Sequence, residues 1–364
     1  MAVTDTTVLT KPINAMFTRR FLERAQYKTH YFMGTDPASL SKNGGTATAL
    51  WRRIEHLTPS TTALSELTGE AYPTRTGVTP TVTDVQKAVS KYGTHILLNE
   101  EADVFNFNGT TAELLDVLAD NAGRVVNMIV RNEMEDNATL VYSTSGGSSN
   151  FGSSDGNTSG VIASAILNYV INILQRNVAD NFLAMTRGSV NVGTVPILAA
   201  YYGICHPDVA YDISQITGFT SVEKYAGQVS VMPGEFGYYG LAGTGIRFMA
   251  TPDASVDAGL GATGAGVADK RTTSGDNADL YNVVIYGRHA VGTLGLGKEQ
   301  PTDAGPVGRK FETIEIINKP FGSAGTADPL NEYSTMGWKA WAAAKILNSN
   351  WIRSVRCAAT NLAN

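Results

Sequence analysis

At 364 residues the chain can fill two domains, or one large domain with insertions. Charged residues make up 17% and apolar residues 43%, with 37 glycines. That balance excludes a disordered polyelectrolyte and suits a surface largely hidden against other chains. The net charge of -5 excludes chain-wide attraction to nucleic acid, and two distant cysteines, Cys205 and Cys357, exclude a disulfide framework.

Residues 1–45 read as an arm, with a short helix expected over 15–24 and glycines Gly34, Gly44 and Gly45 punctuating its end. The run 11–28 carries Lys11, Arg19, Arg20, Arg24 and Lys28 against Glu23 alone. It reads either as a solvated helix face or as an arm touching acidic neighbours or packaged nucleic acid. No basic-then-apolar leader opens the chain, and no apolar run reaches the ~18 residues of a membrane span.

Residues 46–98 read as a long ribbon. Its middle is rich in Thr, Gly and Pro, and strand-like limbs at 49–57 and 82–98 flank it. In the return limb Val85, Lys87, Val89 and Lys91 alternate with Gln86, Ala88, Ser90 and Tyr92, so neither face is strongly apolar. A lone two-stranded ribbon is marginal in water because each face needs cover. A neighbouring subunit could supply it, which points to assembly rather than catalysis.

The stretch Thr110-Thr111-Ala112-Glu113 forms a capping box that opens a long helix. Leu114, Leu118, Ala122, Val125 and Ile129 then recur at helical spacing. Continued over 110–142, this helix would be about 50 Å long. A Ser/Gly/Asn/Asp loop follows at 143–160, then a second helix at 161–186. From residue 190 the texture becomes mixed α/β. Strands are expected at 195–202, 229–231, 245–250, 281–286, 312–317 and 351–357, and a short helix from His206-Pro207-Asp208 to residue 216. A further capping box lies at Thr220-Ser221-Val222-Glu223, a Gly/Ala/Asp-rich flexible or inserted loop at 254–277, and a helix at 338–347.

Candidate catalytic motifs lack their settings. Gly152-Ser153-Ser154-Asp155-Gly156 matches a nucleophile elbow, but no strand precedes it. Gly259-Leu260-Gly261-Ala262-Thr263-Gly264 matches a dinucleotide fingerprint without the preceding strand or following helix. Cys205 and His206 are adjacent, so on extended backbone they point to opposite sides and do not share a proton. His30, His56, His95, His206 and His289 show no metal-ligand spacing. Glu100, Glu101 and Asp103 read as solvated surface or an intersubunit contact. No catalytic residue, cofactor or metal is expected.

The order of parts resembles tailed-phage major capsid proteins with the Hong-Kong-97-type fold, most closely the schitovirus-type podophage branch. The stretches that carry the resemblance are Lys91-Tyr92-Gly93 with Leu97-Leu98-Asn99-Glu100, and His206-Pro207-Asp208 with Tyr211-Asp212. Gly234-Glu235-Phe236-Gly237, Gly245-Ile246-Arg247-Phe248, Asp328-Pro329-Leu330, Gly337-Trp338-Lys339 and Ala344-Lys345-Ile346-Leu347-Asn348 add to it.

The resemblance implies an α+β fold with an N-terminal arm (1–45) and an extended β-ribbon loop (46–98) lying over an adjacent subunit. A peripheral domain (99–189) would carry the spine helix (110–142). Residues 190–335 would be mainly the axial domain, with 254–277 inserted, and the helix and strand of 336–364 would return to the peripheral domain. It further implies a virion structural protein, not an enzyme, that forms hexamers and pentamers around double-stranded DNA and assembles in the bacterial cytoplasm. The ribbon begins near Thr46, so a separate scaffolding protein is expected, with a portal and decoration protein as further partners and no membrane. No lysine lies between Lys42 and Lys87, which argues against covalent cross-linking from the ribbon. Trp51, Arg52, Arg53, Glu55, Glu70 and Arg75 are the candidate intersubunit contacts. Rival readings are a tail-tube or decoration protein, or a serine hydrolase using Ser154.

Overall fold

The computed structural model describes residues 29–38, 48–55, 57, 59, 61, 79–105, 110–143, 158–182, 199–225, 234–241, 243–263, 267–273, 275–294, 314–323 and 328–362. The helix expected at 15–24, the basic run 11–28, the ribbon tip with Glu70 and Arg75, the strand at 229–231 and the Ser154 loop lie outside these residues. In chain order the described elements begin with β1 (Asp36–Ala38), β2 (Thr48–Ile54), β3 (Val82–Ala88) and β4 (Ser90–Asn99). Then come α1 (Glu100–Phe105), α2 (Thr110–Asn137), β5 (Thr139–Tyr142), α3 (Ser164–Arg176), β6 (Ala200–Cys205) and α4 (Pro207–Ser214). The rest are strands: β7 (Phe219–Ser221), β8 (Glu235–Leu241), β9 (Thr244–Ala250), β10 (Val256–Asp257), β11 (Leu280–Tyr286), β12 (Val291–Leu294), β13 (Ile314–Lys319), β14 (Tyr333–Ala342), β15 (Ala344–Ile346) and β16 (Ile352–Cys357).

An eight-stranded sheet forms the body, in the order β5-β16-β11-β6-β9-β8-β7 with β10 added beside β11. Its central strands are buried on both faces, which is why they read as near-continuous apolar runs. On one face α3 (Ile166, Leu167, Val170, Ile171, Leu174) and α4 (Val209, Ile213) pack against Tyr281, Val283 and Ile285 of β11 and Val355 and Cys357 of β16. On the other, Val130 and Met134 of α2 pack against Val284, Tyr286, Ile204 and Ile352. Period-two alternation along β11 therefore feeds two separate cores.

Helix α2 is the spine that joins this body to a second sheet. Its N-terminal half (Leu115, Leu118, Ala119, Ala122, Val126) packs on Met336, Trp338, Ala340 and Ala342 of β14, with Tyr92 and Ile96 of β4 and Ile316 of β13 alongside. At 28 residues it is about 42 Å long. It stops at Asn137, short of the expected end at 142: Thr139-Leu140-Val141-Tyr142 is instead β5, parallel to β16. Those β-branched and aromatic side chains suit a strand, and Val141 joins the α3-side core.

Three further expectations are corrected. The expected helix at 338–347 is strand, β14 and then β15. The Ala-rich run has helix propensity, but β14 pairs along one edge with β4 over ten residue pairs and along the other with β13. Alternate burial of Met336, Trp338, Ala340 and Ala342 against α2 then fixes a period of two. Secondly, ribbon pairing ends at Ala88, so 90–99 belongs to the β13-β14-β4 sheet and not to the ribbon. Thirdly, the described part of 254–277 is pinned. The buried Asp279 carboxylate accepts from Gly259 N–H at 2.9 Å, Thr273 N–H at 3.1 Å and the Thr273 hydroxyl at 2.5 Å. The second helix is shorter than expected, ending at Arg176. The box at Thr220 yields only a 3-10 turn, Val222–Lys224, with no side-chain cap bond from Ser221.

The segment 29–38 straps across the spine. Tyr31 is wholly buried; its N–H donates to Asn127 Oδ1 at 2.9 Å and its hydroxyl to Glu135 Oε1 at 3.0 Å. Burial, and then the neighbouring Glu135 charge, push the Tyr31 phenol well above its ordinary range. Strand β1 continues the strap, running parallel to β12 in a small sheet completed by β15.

Candidate assembly surface

The ribbon is the antiparallel pair β2–β3, with Thr48 opposite Ala88, Trp51 opposite Val85 and Ile54 opposite Val82. Alternation along β2 gives it two unlike faces. One face carries Ala49, Trp51 and Arg53 and turns toward the body. The Trp51 side chain, 7% exposed, clusters with Ala49, Leu347, Ala38, Val85 and Val89, and its Nε1 donates to the Asp36 carbonyl at 3.2 Å. Gly292 of β12 makes room for it: a Cβ there would lie 2.5 Å from Trp51 Nε1. Arg53 Nη1 donates to the Leu347 carbonyl at 2.6 Å, and its Nη2 meets Glu55 at 2.5 Å. On β3, Lys87 pairs with Glu133 of the spine at 3.2 Å.

The other face carries Leu50, Arg52 and Ile54, opposite Gln86, Asp84 and Val82. Leu50 is 50% exposed and Ile54 66%, with Val82 and Leu57 also open. Between the apolar residues Arg52 grips Asp84 through two bonds, 2.9 and 3.2 Å, across the strands. That bond holds Asp84 below the usual carboxylate range. This face, apolar at Leu50, Ile54 and Val82 around the Arg52–Asp84 pair, is uncovered by the described residues of its own chain, whereas the first is covered.

Within the protomer Trp51 and Arg53, expected at an intersubunit contact, hold the ribbon to its own body. Arg52 and Glu55 are exposed, and Glu70 and Arg75 lie outside the described residues. Sequence reasoning missed Leu50, Ile54 and Val82. Their signal is the two-residue alternation of 49–54, in which both faces carry apolar groups and only tertiary packing chooses between them.

Elsewhere the chemistry is structural. Burial pushes the Cys205 thiol well up, and its sulfur faces the Met249 carbonyl at 3.5 Å, so it is no nucleophile. His206 caps α4: its Nδ1 accepts from Asp208 N–H at 3.2 Å. The same nitrogen lies 3.3 Å from the Asp208 carboxylate, but it cannot accept and donate at once. Desolvation lowers the His206 pKa, which favours the neutral cap over the ion pair. In the fingerprint-like stretch, Gly261 and Ala262 N–H donate to the Ala278 and Thr158 carbonyls. The main-chain donors a pyrophosphate would need are therefore occupied. Among the described residues no group of His, Cys, Asp and Glu has metal-site geometry, and no helix is long and apolar enough to cross a membrane.

No family model and no curated protein matches the sequence. Solved structures do. A capsid chain of Ralstonia phage GP4 superposes with TM-score 0.55 at 9% identity, covering 91% of this chain and 87% of that one. The capsid chain of cyanophage P-SCSP1u gives 0.52 at 11%, covering 90% and 87%. That of cyanophage Pam1 gives 0.51 at 10%, covering 92% and 93%. With strap, ribbon, spine helix and sheets in place, these likenesses define the class: the chain has the α+β Hong-Kong-97-type capsid fold.

Proposed function

We propose that this chain is the major capsid protein of a tailed bacteriophage, self-assembling through hexamers and pentamers into the icosahedral shell around double-stranded DNA. The observation that carries the reading is the ribbon's open apolar face on a chain that has the capsid fold over nine-tenths of its length. In water that face is a liability. Against a neighbouring copy it becomes buried area, and weak contacts repeated around a closed shell add up. Arg52, which lies between Leu50 and Ile54 on this face, would set its register on the neighbour.

Within the fold, the α2-packed β13-β14-β4 sheet would be the peripheral domain, and the eight-stranded sheet would contain the axial domain. The motif order favours the schitovirus-type podophage branch. Separate scaffolding, portal and decoration proteins would be partners, assembly would take place in the host cytoplasm, and no catalytic step is needed. Electron microscopy of the purified protein tests this: closed particles or six- and five-membered rings are expected. A monodisperse monomer at every concentration and salt tried would overturn it.

A further inference from the structure

Three described residues other than glycine have a left-handed backbone: Val178 (φ 53°), His289 (φ 60°) and Asn331 (φ 60°). Asparagine and histidine visit this region more readily than most residues, and the His289 ring is held by the Asp36 carboxylate at 2.8 Å. Valine does not, because its branched Cβ crowds the backbone there. Val178 therefore stands out as strained.

Its neighbours enforce that strain. Val178 follows the C-cap of α3: its N–H donates to the Gln175 carbonyl and the Ala179 N–H to the Leu174 carbonyl, both at 3.0 Å. This pair of closing bonds ordinarily places glycine at the left-handed position. The turn is pinned on either side. The Asn177 carbonyl accepts from Trp351 Nε1 at 3.0 Å, Ala179 enters the α3-side core, and the Asp180 carbonyl accepts from the Arg288 N–H at 2.9 Å. Gly287 lets that last contact close up: a Cβ there would lie 2.9 Å from the Asp180 carbonyl oxygen. Glycine at 178 would keep every one of these bonds without strain.

What valine adds is a side chain that its own chain does not use. Val178 is 63% exposed and joins no core among the described residues. Exposed Arg176 and Asp180 lie two residues to either side, and exposed Arg288 lies across the turn. A small apolar centre on a rigid base with a charged rim is the anatomy of a contact point. The rim has two arginines to one aspartate on a chain of net charge -5, so the average surface of a sister copy attracts it.

We propose that Val178 is a contact knob that inserts into a second copy of this chain, and that its strained backbone is kept because the side chain becomes buried only between copies. The inference rests on the capsid reading but concerns the end of α3, not the ribbon.

Val178→Cys in particles grown from the purified chain alone tests it. Cys205 and Cys357 are buried, and no other protein is present to cover the site. Maleimide should label position 178 readily in dissociated protomer, and that labelling should be lost in particles. Benzophenone maleimide on this cysteine, diluted in unaltered chain before assembly, should give two-chain products when particles are irradiated and none in dissociated protomer. Val178→Gly should leave the urea midpoint of the protomer unchanged or higher. It should also raise the concentration needed for assembly by about tenfold, the scale of one buried valine. Equal labelling in particle and protomer, or Val178→Gly particles forming at the same concentration as the unaltered chain, overturns the knob and leaves the capsid reading standing. If the unaltered chain forms no particles, both fall.

Discussion

The eight-stranded body and the two-stranded ribbon are built by the same alternation and end in opposite states. In the body, β11 sends Tyr281, Val283 and Ile285 to one face and Val284 and Tyr286 to the other, and the chain covers both with its own helices. In the ribbon, β2 sends Trp51 to one face and Leu50 and Ile54 to the other, and the described chain covers only the first. A covered sheet is a fold; a half-covered ribbon is a fold plus a requirement. The difference teaches that side-chain parity within a single strand separates residues that hold the protomer together from residues left open, and on the proposed function the open ones would serve assembly.

That separation can be broken or sharpened by substitution. The largest effect on the protomer should come from the body's buried ion pair. Arg247 meets Glu235 through two bonds of 2.7 Å, and the Tyr225 hydroxyl donates to the same carboxylate at 2.9 Å. Glu235→Ala leaves the guanidinium buried and unpaired and should cost about 3–5 kcal/mol. Urea unfolding followed by circular dichroism measures it, and replacing both partners by apolar residues should recover most of the loss.

Next comes the seam between body and ribbon. Gly292→Ala places a methyl group 2.5 Å from the Trp51 ring nitrogen and should cost about 1–3 kcal/mol by overpacking. Trp51 fluorescence should report a more solvated indole, against a background of the other three tryptophans. A loss seen in urea without that change would place the strain elsewhere.

A smaller, pH-dependent effect belongs to the His206 cap. Its folded pKa lies below the ordinary 6.5 because burial disfavours the imidazolium. The unfolded chain therefore takes up this proton first as pH falls. The cap's contribution is complete above about pH 6.5 and is lost as pH drops through the unfolded and then the folded value. His206→Asn should keep a cap and flatten the dependence of the urea midpoint between pH 5 and 7. His206→Ala should also lose about 1 kcal/mol at pH 7.5, in line with other caps.

Much of the body was legible in the sequence. Strand 280–286 is buried on both faces and reads as a near-continuous apolar run, and the Pro207 start of α4 follows from His206-Pro207-Asp208. What escaped has physical reasons. The Ala-rich β14 is helical by propensity, and only pairing on both edges makes it strand. The end of α2 carries no Gly or Pro, so the periodic pattern runs on into β5. Composition marked 254–277 as a flexible or inserted loop, and it cannot see one buried carboxylate gathering Gly259 and Thr273. At the candidate surface the ribbon limb was visible, but its orientation was not. Trp51 and Arg53 alternate with Leu50 and Ile54, and nothing local decides which pair meets the body.

The smallest effect on the protomer should accompany the largest effect on assembly. Leu50→Asp combined with Ile54→Asp alters only open side chains and should shift protomer stability by no more than about 0.5 kcal/mol per site. Counting closed particles by electron microscopy for the unaltered chain and this double variant, prepared identically, tests the central claim most directly. The account predicts shells from the first, and from the second a folded protomer with an unchanged urea midpoint and no shells. Shells as numerous from the variant as from the unaltered chain would contradict it.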